Sequence, residues 1–131
     1  LKPSSATARP KPQRITGVAH VFAATSYSIG GIRRLWQEAA FRHILLLVPA
    51  CIILLAVCNA RLVEYTVFAI LFFCLIAVEA LNTAIECLVD HLAPHWEEFA
   101  RDAKDLGSLA TMCMLFAIGT FLAAIVLRTI F

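Results

Sequence analysis

Apolar residues fall along this chain in three long runs, about 44–60, 65–89 and 108–127, each near the ~20 residues that carry a helix across a bilayer. Ahead of them, from about 16 to 41, the pattern changes. Val18, Val21, Phe22, Ile29, Ile32, Trp36 and Ala40 recur at helical spacing among polar neighbours, which predicts an amphipathic helix lying on the membrane surface. Gly30 and Gly31 sit inside that helix at a cost of about 1 kcal/mol each against alanine, and predict a bend or break there. Residues 1–15 place Pro3, Pro10 and Pro12 among small and basic residues and read as a disordered basic lead-in. There is no alternating strand pattern and no internal repeat. The predicted fold is all-α, with three transmembrane helices and an N-terminal surface helix in a single domain over 16–131.

Pro49 is expected within the first turn or two of the first span, where its missing hydrogen bond matters least. Ala93-Pro94 should end the second helix, and Gly107 falls at the expected entry to the third. Composition agrees with a lipid environment: of 131 residues, 61% are hydrophobic and 15% charged. Cys51, Cys58, Cys74, Cys87 and Cys113 all lie in the apolar runs, without a C-x-x-C pair, and read as buried, reduced packing residues.

Charge sets the orientation. Lys2, Arg9, Lys11, Arg14, Arg33, Arg34 and Arg42 precede the first span, opposed by Glu38, whereas the next connection offers Arg61 and Glu64. The positive-inside rule then places the N-terminus and the 90–105 loop in the cytoplasm. The basic N-terminal residues lack interleaved aromatics, which argues against a nucleic-acid partner and for anionic lipid headgroups.

The candidate chemistry lies in the second run. At about 100° per residue, Glu79, Glu86 and Asp90 fall within about 20° of one line, flanked by Asn82 and Thr83. Ala80, Leu81, Ile85, Cys87 and Leu88 take the other face. Measured from Glu64, Glu79 lies about 22 Å along the helix, in the cytoplasmic half of a ~30 Å core. An acid at that depth costs on the order of 3 kcal/mol and marks function by default.

Each neighbouring group also has a plainer reading. Asn82 and Thr83 suit interhelical hydrogen bonds, Asp90 a boundary charge, Glu38 and Arg42 an i,i+4 salt bridge, and Ser108 a helix cap.

Together, closely spaced carboxylates at a lipid-water boundary can hold magnesium, and with it a nucleotide phosphate. A deeper carboxylate can take the proton of an alcohol held at headgroup depth. These parts suffice for phosphoryl transfer, although no P-loop and no Gly-rich kinase loop occurs among the five glycines. A proton- or cation-translocating subunit would use the same buried acids.

Three segments narrow the choice: W-Q-E-A-A-F-R from Trp36 to Arg42, V-E-A-L-N-T-A-I-E-C-L-V-D from Val78 to Asp90, and A-K-D-L-G-S from Ala103 to Ser108. In order and spacing they resemble the bacterial integral-membrane diacylglycerol kinase family, over about residue 23 to the C-terminus. The resemblance implies a homotrimer of three-span protomers, ATP and magnesium as co-substrates, and active sites formed between neighbouring protomers, on a fold unlike that of soluble kinases.

By motif position it implies Glu79 as general base, Glu38 and Glu86 as magnesium and ATP ligands, and Asn82 and Asp90 in support. Lys104, Asp105, Tyr27, His95, Trp96 and Glu97 would engage ATP. Trp36, Phe41, Arg42 and Ser108, with Glu79, would line the lipid side. Two positions depart from the family pattern: His20 where the surface helix commonly carries Arg, and Ile44 where a Glu commonly follows F-R. A sibling branch phosphorylates undecaprenol, and the motifs do not separate the two lipids cleanly.

Overall fold

The computed structural model of the chain describes residues 17–131, the side chains of 18–21 and 23 excepted. The expected lead-in over 1–15 and the side chain of His20 lie outside the described residues. Four helices follow in order: α1 (Val18–Leu35), α2 (Ala39–Val57), α3 (Leu62–Leu92) and α4 (Glu98–Ile130), with no strand among the described residues. The last three are long and apolar enough to cross a membrane.

α1 runs through Gly30 and Gly31 without a break, so the expected interruption there does not occur. A propensity loss of about 1 kcal/mol per glycine is a weak local force. The chain turns instead at 36–38, where Glu38 adopts an extended conformation (φ −78°, ψ 130°) as the residue before α2. Arg42 fixes that turn: its Nη1 donates to the carbonyls of Trp36 (2.8 Å) and Gln37 (3.0 Å), the oxygens left unpaired where α1 ends.

Helix α2 starts at Ala39, ahead of the apolar run, so Pro49 lies in the helix interior rather than its first turns. α4 likewise starts at Glu98 and carries Gly107 and Ser108 well inside it. Ser108 is therefore not a cap. The polar residues from Glu98 onward include no proline, and Arg101 pairs with Glu98 at 3.7 Å on the new first turns.

At the turn between α2 and α3, Asn59 takes a left-handed conformation (φ 50°), which its short polar side chain tolerates. Ala60 and Asn59 donate their N–H groups to the carbonyls of Leu55 (2.9 Å) and Ala56 (3.0 Å), closing α2. Glu64 then joins three elements. It accepts the Arg61 N–H at 2.6 Å, its carboxylate pairs with Arg128 of α4, and Arg128 also reaches the Cys58 carbonyl at 3.4 Å.

Between this clasp and the middle of the helices lies the apolar core: Ile44, Leu55, Cys58, Phe68, Leu75, Ile118 and Ile125. Leu55 and Leu75 are fully buried. α3 and α4 form the most extensive pair, α2 leans on both, and α1 touches α3. Large apolar side chains such as Leu46, Ile53, Phe73, Leu81 and Phe116 point outward, as lipid-facing or copy-facing residues do. The cysteines share in this: all five are free, but Cys58 alone is buried, and Cys74, Cys87 and Cys113 are exposed on outward faces, against the expectation of burial for all.

Candidate functional site

Toward the turn between α3 and α4 the same helices change character. α3 keeps one face polar: Glu79 and Thr83 are buried, with Glu79 only 4% exposed, Asn82 and Glu86 are half-buried, and Asp90 is exposed. α4 returns alongside and sets its own small polar residues against that face. The approach is closest at Gly107, where a Cβ would stand 1.9 Å from Asn82 Oδ1. A side chain there would have to displace the Asn82 carboxamide.

Because α4 comes this close, Thr111, one turn beyond Gly107, reaches across to Glu79, its Oγ1 donating to Oε2 at 3.0 Å. Asn82 turns its other end along α3, Nδ2 donating to Glu86 Oε1 at 3.0 Å. The Asn82 Oδ1 atom is buried without a hydrogen-bond partner, pressed toward Gly107.

Glu38, Ala40, Glu79, Asn82, Thr83, Glu86, Ser108, Thr111, Met112 and Leu115 line one cleft of about 360 Å³. The residue before α2 therefore meets the acidic stripe of α3, as the fold-back of the N-terminal helix requires. Glu38 does not pair with Arg42, whose guanidinium is spent on α1 carbonyls. It pairs with Arg34, which also donates from Nη2 to Cys87 Sγ on α3 at 3.3 Å. The Glu38 carboxylate, and then the Cys87 sulfur, hold the Arg34 pKa above its ordinary value.

A second pocket of about 300 Å³ opens beside the first, lined by Val89, Asp90, Ala93, His95, Trp96, Glu97, Ala100, Arg101, Lys104 and Asp105. Lys104 Nζ donates to Asp90 Oδ1 at 2.5 Å. Most of the residues expected to engage ATP thus gather here. Tyr27 does not: it is exposed on α1 and lines neither cavity.

The expected lipid-side group divides. Ser108 opens on the carboxylate cleft. Trp36 is exposed and meets the buried Phe41 edge-on, ring centroids 6.5 Å apart, while Trp36 and Arg42 flank a shallow groove with Leu45 and Leu46. Ile44 is buried in the apolar core and lines neither polar cavity.

The family model for prokaryotic diacylglycerol kinase matches residues 26–127. The chain belongs to the prokaryotic diacylglycerol kinase family. It is 45% identical over 115 residues to a diacylglycerol kinase of Sinorhizobium sp, covering 88% of this chain and 84% of the relative. It is 34% identical over 103 residues to the diacylglycerol kinase of Escherichia coli strain K12, covering 74% and 80%. A diacylglycerol kinase of Helicobacter pylori strain 26695 is 31% identical over 102 residues, covering 77% and 80%.

All three segments that carried the resemblance lie within the stretch matched to the diacylglycerol kinase family; the carboxylate cleft is built largely from them, and the second pocket takes Val89, Asp90, Lys104 and Asp105 from them. Thr111 and Arg34 went unread in the sequence, although both contact family-motif residues. Thr111 had a faint signal: with Lys104, Gly107 and Ser108 it continues one face of α4 at helical spacing. Arg34 stands one helical turn before Glu38, the same spacing that Arg42 has after it, so spacing alone does not choose between them.

Proposed function

We propose that this protein is an ATP-dependent lipid kinase that converts diacylglycerol to phosphatidic acid at the cytoplasmic surface of a bacterial inner membrane. The observation that carries this reading is one cleft in which a deeply placed carboxylate, Glu79, shares walls with Glu38, Asn82, Glu86 and Ser108, next to a pocket holding Asp90, Lys104 and Asp105.

In this reading the primary hydroxyl of diacylglycerol gives its proton to Glu79. Its oxygen bonds to the γ-phosphorus of ATP as the bond from that phosphorus to the bridging oxygen breaks, releasing ADP. Lys104 and Asp105, with His95, Trp96 and Glu97, engage the nucleotide. Trp36, Arg42 and Ser108 bound the lipid.

Magnesium suits the donor set. Among the described residues no three His, Cys, Asp or Glu side chains form an all-protein cage, but magnesium characteristically takes one or two carboxylates and fills its shell with waters and substrate phosphates. Glu38 and Glu86 would hold it, with Asn82 fixing the Glu86 carboxylate. Bound there, the ion supplies charge neutralisation at the β- and γ-phosphates.

The basic residues before α2 support a cytoplasmic N-terminus. The outward apolar side chains on α2, α3 and α4 and the open flank of the cleft support a homotrimer with sites completed between neighbouring protomers.

The test is direct transfer. Purified protein in detergent micelles, given labelled ATP and magnesium with either diacylglycerol or undecaprenol, should label phosphatidic acid. Labelled undecaprenyl phosphate instead would change the substrate, and no transfer to either lipid would move the buried acids to ion or proton translocation.

A further inference from the structure

We propose that Thr111 is a positioning residue that fixes the Glu79 carboxylate for proton transfer. The proposal rests on Glu79 being the base.

Hydroxyl side chains on helices default to their own backbone, donating to the carbonyl four residues back. Among the described residues Ser28 donates to Ala24 at 3.1 Å, Thr66 to Leu62 at 3.0 Å and Thr129 to Ile125 at 2.9 Å in this way. Thr111 departs from that habit. Its Oγ1 donates across to α3, to Glu79 Oε2 at 3.0 Å.

The crossing depends on Gly107. With glycine at 107, α4 approaches Asn82 at that level without displacing its carboxamide, and Thr111 then stands one turn further along α4, where it meets Glu79, about one turn back along antiparallel α3.

Among the described residues Thr111 is the only side chain that hydrogen-bonds Glu79. The other oxygen, Oε1, has no partner, yet it is not sealed away: the only side-chain polar atom both buried and unpartnered among the described residues is Asn82 Oδ1. Thr111 therefore holds one oxygen and leaves the other open to the cleft that both residues line. Without the Thr111 bond the carboxylate rotates about its terminal torsion, a broad and weakly restrained one. The hydrogen bond fixes its plane, and proton transfer needs a base held within hydrogen-bond reach. Thr111 touches no reacting atom.

Thr111→Val keeps the shape and removes the donor, whereas Thr111→Ser keeps the donor. With Mg-ATP and a short-chain diacylglycerol in micelles, Thr111→Val should lower kcat about tenfold, the order expected for one oriented hydrogen bond. KM for both substrates should stay within about twofold, and Thr111→Ser should recover most of the loss. If Thr111→Val fails to fold, Thr111→Ala serves as the donor-free variant.

A wild-type kcat in the donor-free variant overturns the proposal, as does a loss that serine does not restore or one carried in KM. Glu79→Gln, assayed alongside, separates the two claims. If it is inactive while Thr111→Val is normal, positioning alone fails. If Glu79→Gln turns over normally, the base assignment fails and takes the positioning role with it.

Discussion

Asn82 and Gly107 meet so closely that a methyl group on Gly107 would overlap the Asn82 carboxamide oxygen, its Cβ only 1.9 Å away. This contact sets the spacing of α3 and α4 where the polar cavities begin, and it places Thr111 against Glu79. Gly107→Ala should therefore wedge the two helices apart. Overpacking of this kind costs about 1–3 kcal/mol, visible as a lower midpoint of denaturation in mixed micelles, and turnover should fall with it. Adding Asn82→Ala should recover stability but not activity, because it also removes the donor to Glu86. Recovery of both would show that Asn82 is packing alone.

The Glu64–Arg128 clasp makes the opposite prediction. It joins α3 to α4 at the far end of the apolar core from both cavities. Arg128→Gln leaves a nearly buried carboxylate with only the exposed Arg61 guanidinium, at 3.7 Å, as its cation. Arg128 is itself partly exposed, so the loss should be about 1–2 kcal/mol rather than that of a fully buried pair. Thermal midpoints in detergent should drop while kcat and KM at low temperature stay near wild type. A selective kcat loss would mean that the clasp sets the cleft geometry from a distance.

Much of this architecture was legible in the sequence, for identifiable reasons. Glu79, Glu86 and Asp90 share a face because helical periodicity survives in any solvent, and acids at such depth are costly enough to stand out. Long-range partnerships were not legible. Arg34 stands one helical turn before Glu38, a spacing that Arg33 lacks, but its reach to Cys87, 53 residues away, has no local signal. Nothing local predicts that Arg42 will cap α1 rather than pair with the acid one turn away. The bend moved from Gly30–Gly31 to 36–38 because capping by Arg42 and the extended Glu38 outweigh two weak propensity losses.

For the metal, Glu38→Ala and Glu86→Ala should each raise the magnesium concentration needed for half-maximal turnover, by about tenfold or more if each supplies one ligand. Arg34→Gln frees Glu38 from its ion pair and should change the magnesium requirement less than Glu38→Ala does. From the arginine side this ion pair persists at every working pH, because a raised folded-state pKa loses its stabilising contribution only as the pH climbs through that value. Titrating magnesium at fixed ATP checks all three variants. Unchanged requirements in both alanine variants would reduce these acids to boundary charges.

The lipid preference is the last expectation, and the position of Ile44 bears on it. The family pattern commonly puts a Glu there, and loss of that acid would matter if it faced the lipid headgroup. In this structure Ile44 is buried in the apolar core and shares an apolar pocket with Leu75, Leu115 and Ile118, so an acid at this site would face the core rather than line the carboxylate cleft. The surface left to select the lipid is the groove of about 220 Å³ that Trp36, Arg42, Leu45 and Leu46 form where α1 passes into α2. Arg42 is occupied by the Trp36 and Gln37 carbonyls, which leaves the exposed Trp36 ring as the polar-tipped apolar surface suited to a glycerol ester region. A single polyprenyl chain gains less from that indole. With both lipids in one micelle, diacylglycerol should show the higher kcat/KM, and Trp36→Ala should lower it for diacylglycerol more than for undecaprenol, by several-fold. A higher kcat/KM for undecaprenol in the unmodified protein would overturn the substrate assignment while leaving the kinase chemistry at Glu79 in place.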